Sequence, residues 1–588
     1  MTNTFRSLTN SFYRYLLFCL LMGVSTLASH SQDVEPYKGN ESLNYEEVID
    51  SYMAMSESSE TADLMEVGIT DVGQPLYLFV INKTGNTNPG DFESDRARIL
   101  INNGIHPGEP CGIDASVKLA EDLLSGNNEL ANLLDSTIVC IIPIYNVGGS
   151  LNRGCCSRAN QNGPAEYGFR GNARNLDLNR DFIKADAANS QSFAAVYHQI
   201  KPHVFVDTHT SNGADYQYVM TMITTQPDKA TGLVGEYIRD EMNPGIFEIM
   251  DERGWKMTPY VNTMGRTPEK GISDFLETPR YSTGYTALFN TIGFTSETHM
   301  FKPFAERVES TYQFEVSILE YMQKNAVELK ALKAAADLST SKQKRFPLHW
   351  KLDTAKFREI EFDGYEAEFT ESTVTGLQRM KYNRDKPWTD DIRYYDTFIP
   401  SIEVDAPRFY VIPQAWSEVI EKLQRNQVEM SRLNEDRIME VEAYHITDYE
   451  TTDRVYEGHY LHSGVEVERV REEIQFRTGD YVIEVNQPVN RYIVETLEPQ
   501  AVDAFFAWNE FDSILQQKEW FSDYVFEEKA AEMLEGNDGL RIEFEAKKAE
   551  DAEFASSHWW MLYWLYQRSE HFENSFNRYP VYRYNGSF

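Results

Sequence analysis

At 588 residues the chain exceeds one ordinary domain, and its 41% apolar content suffices for large cores, so two or three structural units are expected. It carries 92 acidic against 55 basic residues, a formal net charge of −37 at pH 7. Such a field repels nucleic acid and anionic membrane surfaces, so no nucleic-acid partner is expected.

The first 31 residues hold Arg6 and Arg14, an apolar run over 15–24, and small residues up to Ser31. This is a secretory signal pattern rather than a membrane anchor. Its removal, Cys19 included, takes away two positive charges and no acids, moving the net charge from −37 to −39. The expectation is a secreted or periplasmic protein without stable membrane insertion.

Next in the chain, an apolar run over 99–105 leads into His106-Pro107-Gly108-Glu109. Imidazole and carboxylate are ligand types that hold zinc while leaving its charge free to polarise a carbonyl. Pro107 and Gly108 argue against a helical arrangement, so the pair belongs on a strand-to-helix loop. Taken alone, His and Glu at this spacing describe an ordinary surface loop. Residues 114–124 have helical spacing and 137–144 read as a buried strand. Residues 176–181, Leu-Asp-Leu-Asn-Arg-Asp, place carboxylates, an amide and a guanidinium together, a set able to steady a histidine ligand and grip an anion. A helix over 187–200 precedes a β-branched run that presents His209 at a strand tip. The apolar run from residue 292 likewise ends in Glu297. Open α/β sheets gather their chemistry at the carboxyl ends of strands, so these tips can share one crevice. His299 faces the same side of an extended strand as Glu297, open between a supporting role and packing.

Over residues 40–325 the order of these segments resembles the zinc carboxypeptidase family, typified by carboxypeptidase A. The resemblance rests on Gly68-Ile69-Thr70-Asp71, the His106–Glu109 stretch, residues 177–181, His209 and Glu297. It implies an α/β fold, a mixed, mostly parallel sheet flanked by helices. It further implies one Zn2+ per chain held by His106, Glu109 and His209, with Glu297 as general base. Asp177 would orient His106 through its second ring nitrogen. Asn179 and Arg180 would clamp a terminal carboxylate, and Arg170 would stabilise the oxyanion, with Arg174 close enough to compete. Tyr281 would cap the substrate, with Tyr285 as the competing choice. The family's NPDG turn is here Asn146-Val147-Gly148-Gly149, and the residue selecting the substrate side chain falls somewhere between about 274 and 286.

The implied reaction is hydrolysis of a peptide amide bond by a zinc-activated water, most simply as a metallocarboxypeptidase acting on peptide or protein substrates. Amidase or endopeptidase action on cell-wall-type peptides would use the same groups. A catalytically inert peptide- or glycan-binding protein is the reading from a different class. The complete ligand set together with Glu297 favours the enzyme.

A catalytic unit over 32–335 is expected to close with a helix over 304–335, followed by a linker at 336–350. Residues 351–500 read as a β-rich accessory region, with strands at 409–412 and 480–485 and a helix over 416–433. The remainder, 501–588, reads as helical and aromatic-rich, with helices over 501–534 and 557–572. Trp559, Trp560, Tyr563, Trp564 and Tyr566 are taken as core, with stacking on sugars or peptides as the alternative. His459 and His462 lack a ligand framework and are taken as structural. Of the cysteines outside the signal, Cys155 and Cys156 are adjacent and are not expected to bond each other, and Cys111 is not taken as a ligand.

Overall fold

The computed structural model describes residues 35–125 and 129–588, so the expected signal segment lies outside the described residues. Its centre is an eight-stranded sheet. The strands are β1 (Ala62–Ile69), β2 (Pro75–Ile81), β3 (Ala97–Asn102), β4 (Thr137–Ile142), β5 (Val204–Ser211), β6 (Met220–Thr224), β7 (Thr258–Pro259) and β8 (Ile292–His299). They lie in the order β1-β2-β4-β3-β5-β8-β6-β7. The run β4-β3-β5-β8 is parallel, as is β6-β7, and the other neighbours are antiparallel. Strands β4 and β5 are buried at every position, as near-continuous apolar runs must be when helices cover both faces.

On one face pack α1 (Tyr45–Ser58), α2 (Cys111–Leu124), α3 (Asn243–Glu252) and α4 (Phe304–Lys342), whose Val48, Ile113, Ile246 and Phe314 share a core with Ile99 and Val206. The other face is covered by the helix Ala188–Ile200 and by the C-terminal half of the chain. One apolar cluster there joins Leu100, Phe193 and Tyr285 to Phe346, Tyr410, Tyr492 and Trp508.

The stretch 336–350, expected as a linker, is the end of α4 and most of a strand, Arg345–Leu352. Its Ser and Thr residues read as loop, but tertiary contacts override that preference: Asn290 donates to Thr340 Oγ1 at 3.1 Å and Asn490 to the Thr340 carbonyl at 3.1 Å. Beyond it lie two long hairpins, Arg358–Glu371 with Gln378–Tyr395 and Arg437–Thr451 with His462–Phe476. The first extends a small sheet that includes Ile272–Ser273 of the N-terminal half. The expected helix over 416–433 is confined to Ser417–Arg425, and 501–511 forms turns rather than helix. Helices Asp523–Gly536, Asp538–Glu550 and His558–Tyr566 build a separate small core around Phe526, Phe544 and Leu562. Of the aromatic stripe, Tyr566 is buried in that core whereas Trp559 and Trp560 are exposed. His459 and His462 are tied to Asp186 and Asp512.

Cys155 and Cys156 are joined by a disulfide, contrary to expectation. The turn reconciles adjacency with bonding by placing Cys156 at φ 84°. Cys111 and Cys140 are buried free thiols.

Candidate active site

The site forms where β3, β5 and β8 end. Asn102 is in register with Asp207, and His209 with Glu297, so three neighbouring parallel strands deliver their polar tips to one place. Gly104 turns the chain out of β3 at φ 65°, a conformation L side chains rarely adopt. Gly112 lets α2 press on β5, since a Cβ there would stand 2.0 Å from Thr208 Oγ1. Between them, the loop swings His106 and Glu109 over the strand ends.

His106, Glu109 and His209 are each 3% exposed and offer three ligand atoms to one point. Nδ1 of His106 lies 3.1 Å from Nδ1 of His209; Glu109 Oε2 is 3.1 Å from His209 Nδ1 and 3.4 Å from His106 Nδ1. The far nitrogen of each ring meets a carboxylate: His106 Nε2 donates to Asp177 Oδ1 at 2.9 Å, and His209 Nε2 stands 3.1 Å from Asp207 Oδ2. The second contact is bent, leaving both of its atoms short of a good hydrogen bond. With Nε2 carrying the proton on each ring, both Nδ1 atoms turn lone pairs toward a carboxylate oxygen and toward each other. That is repulsive in a dry pocket unless a cation lies between them. Ligands about 2.0–2.1 Å from a tetrahedral zinc stand about 3.3 Å apart, so the spacing and the His, His, Glu donor set both fit zinc.

Charge around the trio points the same way. Burial would push His209 down, but Asp207 and Glu109 outweigh it and hold the ring well above the usual histidine range, showing how strongly this corner favours positive charge. Burial would raise Glu109, but Arg158, His106 and His209 hold it well below the usual carboxylate range. Asp177, which burial would also raise, is likewise held well below that range by His106, Arg170 and Arg180.

Glu297 lies beside the trio, partly open to a cavity of about 320 Å³ that the ligands, Arg170, Asn179, Arg180 and Tyr281 also line. Burial raises its carboxyl to about 7; His209 and Arg170 pull it down while Glu109 and Asp207 push it up. Arg170 donates through Nε to Asp177 Oδ2 at 2.9 Å, with Nη1 3.5 Å from Glu109 Oε1. Arg174 instead donates to the Asp186 carbonyl at 2.6 Å, facing a different cavity. Arg180 stacks 4.3 Å over the Tyr281 ring, and Asn179 Oδ1 accepts from the Ser282 amide at 3.0 Å. Tyr285 is buried among aromatic rings, away from the cavity. His299 is packing: its Nε2 donates to the Ala214 carbonyl at 2.8 Å and Nδ1 accepts from the Phe301 amide.

Sequence reasoning missed Asp207, Arg158 and Glu457 here, while Glu277 was already the next candidate for the base after Glu297. Asp207 was findable, because residues two apart on a strand share a face and His209 was already placed. Arg158, which donates to Glu109 Oε1 at 2.7 Å, lies in an irregular loop with no local signal. Glu277 lines the cavity from another irregular loop. Glu457 comes from the C-terminal half: its Oε2 accepts from the Asp177 amide at 2.7 Å.

Residues 49–231 match the family described as zinc carboxypeptidase. Among curated proteins, Carboxypeptidase 2 of Trichophyton rubrum is 22% identical over 450 residues, 73% of this chain and 76% of its own length. Carboxypeptidase E of Caenorhabditis elegans is 30% identical over 135 residues, 22% of this chain and 26% of its own. Among solved structures, a metallo-carboxypeptidase from Burkholderia cenocepacia aligns at 16% identity over 48% of this chain and 70% of its own, with a TM-score of 0.36. Carboxypeptidase A from Helicoverpa armigera aligns at 12% identity over 50% and 75%, with a TM-score of 0.34.

Proposed function

We propose, from the premise that this chain belongs to the zinc carboxypeptidase family and is a peptidase, that it is an exported metallocarboxypeptidase releasing C-terminal residues from peptides. The observation that carries the reading is the convergence of the His106, Glu109 and His209 ligand atoms beside Glu297 in a cavity that also holds Asn179 and Arg180. Held by His106, Glu109 and His209, zinc would supply a Lewis acid and an activated water. Glu297 takes the proton of the attacking water and hands it to the leaving amine. Arg170 sets its guanidinium where charge builds on the carbonyl oxygen. Asp177 fixes the tautomer of His106 through its hydrogen bond, and Asp207 faces Nε2 of His209, so that each Nδ1 is left to ligate.

Arg180 gives the reading its exopeptidase form. A planar guanidinium grips a carboxylate through two parallel hydrogen bonds, and Tyr281 stacked on it closes one side of the clamp. Export rests on the signal pattern of residues 1–31; no helix among the described residues is long and apolar enough to cross a membrane.

Matched peptides with free and amidated C-termini test this. The zinc-loaded protein is expected to prefer the free acid strongly, since an amide leaves the guanidinium poorly satisfied, at a cost of about 2–5 kcal/mol. Arg180→Ala should erase most of that preference. Equal cleavage of both peptides, with nothing selective lost in the variant, would reject the exopeptidase in favour of an amidase or endopeptidase. No cleavage of any peptide would leave the inert binding protein.

A further inference from the structure

The geometry points to a second binding site, for a small organic carboxylate, in a cavity outside the catalytic one: Lys229 and Lys342 take the carboxylate, and Phe346, Pro347 and Trp350 cover its apolar body. This assignment is independent of the peptidase reading, since none of these residues lines the cavity of the zinc ligands.

The cavity, of about 460 Å³, opens where four stretches of chain meet. Residues 228–232 come from the N-terminal half and 339–343 from around the end of α4. The strand Arg345–Leu352 supplies Phe346, Pro347 and Trp350, and the helix Asn490–Leu497 supplies Arg491 and Glu495. Lys229 is only 7% exposed, whereas Lys342 is open to solvent. The lining thus offers one cation held in place inside and one that can close from outside.

Charge in this lining does not balance. Glu495 pairs with Arg491 at 3.2 Å, and Asp228 is taken by Arg239 at 2.6 Å and by the Phe398 amide at 2.8 Å. An ammonium has three protons to donate, and Lys229 gives one to the Glu277 carbonyl at 2.9 Å. Among the described residues, neither Lys229 nor Lys342 forms an ion pair with a carboxylate. Burial pushes Lys229 below the usual lysine range and Arg491 adds to this, against Glu495, Asp503 and Glu277. A buried cation left without a counter-ion is costly, and an entering anion supplies one. Thr231 adds a donor: its Oγ1 is buried without a hydrogen-bond partner and does not cap the short helix that follows it. In a chain of net charge −37, a concavity that gathers unpaired positive charge selects anions.

The rest of the lining decides between a bare anion and an organic one. Phe346, Pro347 and Trp350 present apolar surface that a hydrated phosphate or chloride leaves unused, and about 460 Å³ is far more than such an ion fills. A carboxylate with an apolar chain meets both halves of the lining. Its head takes charge-assisted hydrogen bonds from the two lysines, and its chain leaves water against the aromatic rings.

Hexanoate and its uncharged counterpart hexanamide test this by isothermal titration calorimetry with the zinc-loaded full chain. Arg180→Ala serves as the background, because the proposed catalytic clamp would otherwise take a carboxylate as well. Hexanoate should bind that variant once per chain, and hexanamide should bind about tenfold more weakly or less. Adding Lys229→Met should weaken hexanoate about tenfold or more, with denaturant unfolding reporting that the variant has folded. Lys342→Gln changes an exposed position and leaves the core untouched, so it should weaken hexanoate even where Lys229→Met does not fold. Loss of all hexanoate binding with Arg180→Ala, or binding that both lysine variants leave unchanged, overturns the site. Inorganic phosphate or chloride bound as tightly as hexanoate overturns the organic class, since the apolar surface would then contribute nothing.

Discussion

Glu297 concentrates the residue-scale argument, because its neighbours divide between groups that keep it protonated and groups that ionise it. Its carboxyl lies at about 7, and a cation held by adjacent His209 moves it lower. A general base must be ionised, so kcat/KM should fall on the acid side as Glu297 takes up its proton. Glu297→Gln should keep the metal and the fold, since in the proposed mechanism this residue moves protons rather than ligates, while the rate drops about 10²- to 10⁴-fold. Metal analysis and single-turnover kinetics read both. Near-normal turnover would show that the base is elsewhere, with Glu277 the next carboxylate in the cavity. The reach of sequence is visible at this scale. His106, Glu109, His209 and Glu297 were legible because each follows an apolar run that forms a strand, so local pattern predicted shared position. Arg158 was not, because irregular loops carry no periodicity from which side-chain direction follows.

Between elements, the contact of α2 with α4 carries a buried acid. Glu315 on α4 accepts from Ser116 Oγ of α2 at 2.7 Å, and its Oε2 has no partner. Burial raises its carboxyl to about 8, against an ordinary value of 4.5. The folded state therefore binds a proton there that the unfolded chain releases above about pH 4.5, so the stability is fully present below 4.5 and is lost as pH rises through 8. The slope is about 1.4 kcal/mol per pH unit for each such proton. Asp114, raised by burial to about 8, contributes a second. Glu315→Gln keeps an acceptor for Ser116 and removes the ionisation, so denaturant unfolding at pH 5, 6.5 and 8 should show a shallower decline in the variant. Parallel declines would mean that Glu315 is already ionised in the fold. Sequence found these two helices from their apolar spacing but stopped α4 short, because Thr340 is held by Asn290 and Asn490, partners remote in sequence. The long hairpins were missed for a related reason: strands such as Arg358–Glu371 carry charge at many positions, and their stability comes from cross-strand pairs.

Across the whole molecule, the C-terminal half is part of the catalytic structure rather than an appendage to it. Changes in sequence texture suggest separate units, but texture reports local composition and says nothing about which surfaces meet. Phe346, Tyr410, Tyr492 and Trp508 lie in the same apolar cluster as Leu100 and Tyr285, on the face of the sheet opposite α1 and α2. Arg280, next to Tyr281, is paired with buried Asp503 at 2.7 Å and stacks 5.0 Å from the Trp508 ring. Glu457 reaches the Asp177 amide, directly behind His106. Ending the chain at Lys342 would therefore uncover a large apolar face and remove supports on two sides of the carboxylate clamp. Such a fragment, residues 32–342, should be insoluble or lack a cooperative unfolding transition, and it should bind zinc weakly. A soluble fragment with full zinc occupancy and the intact protein's free-acid preference would show that residues 32–342 fold and work alone.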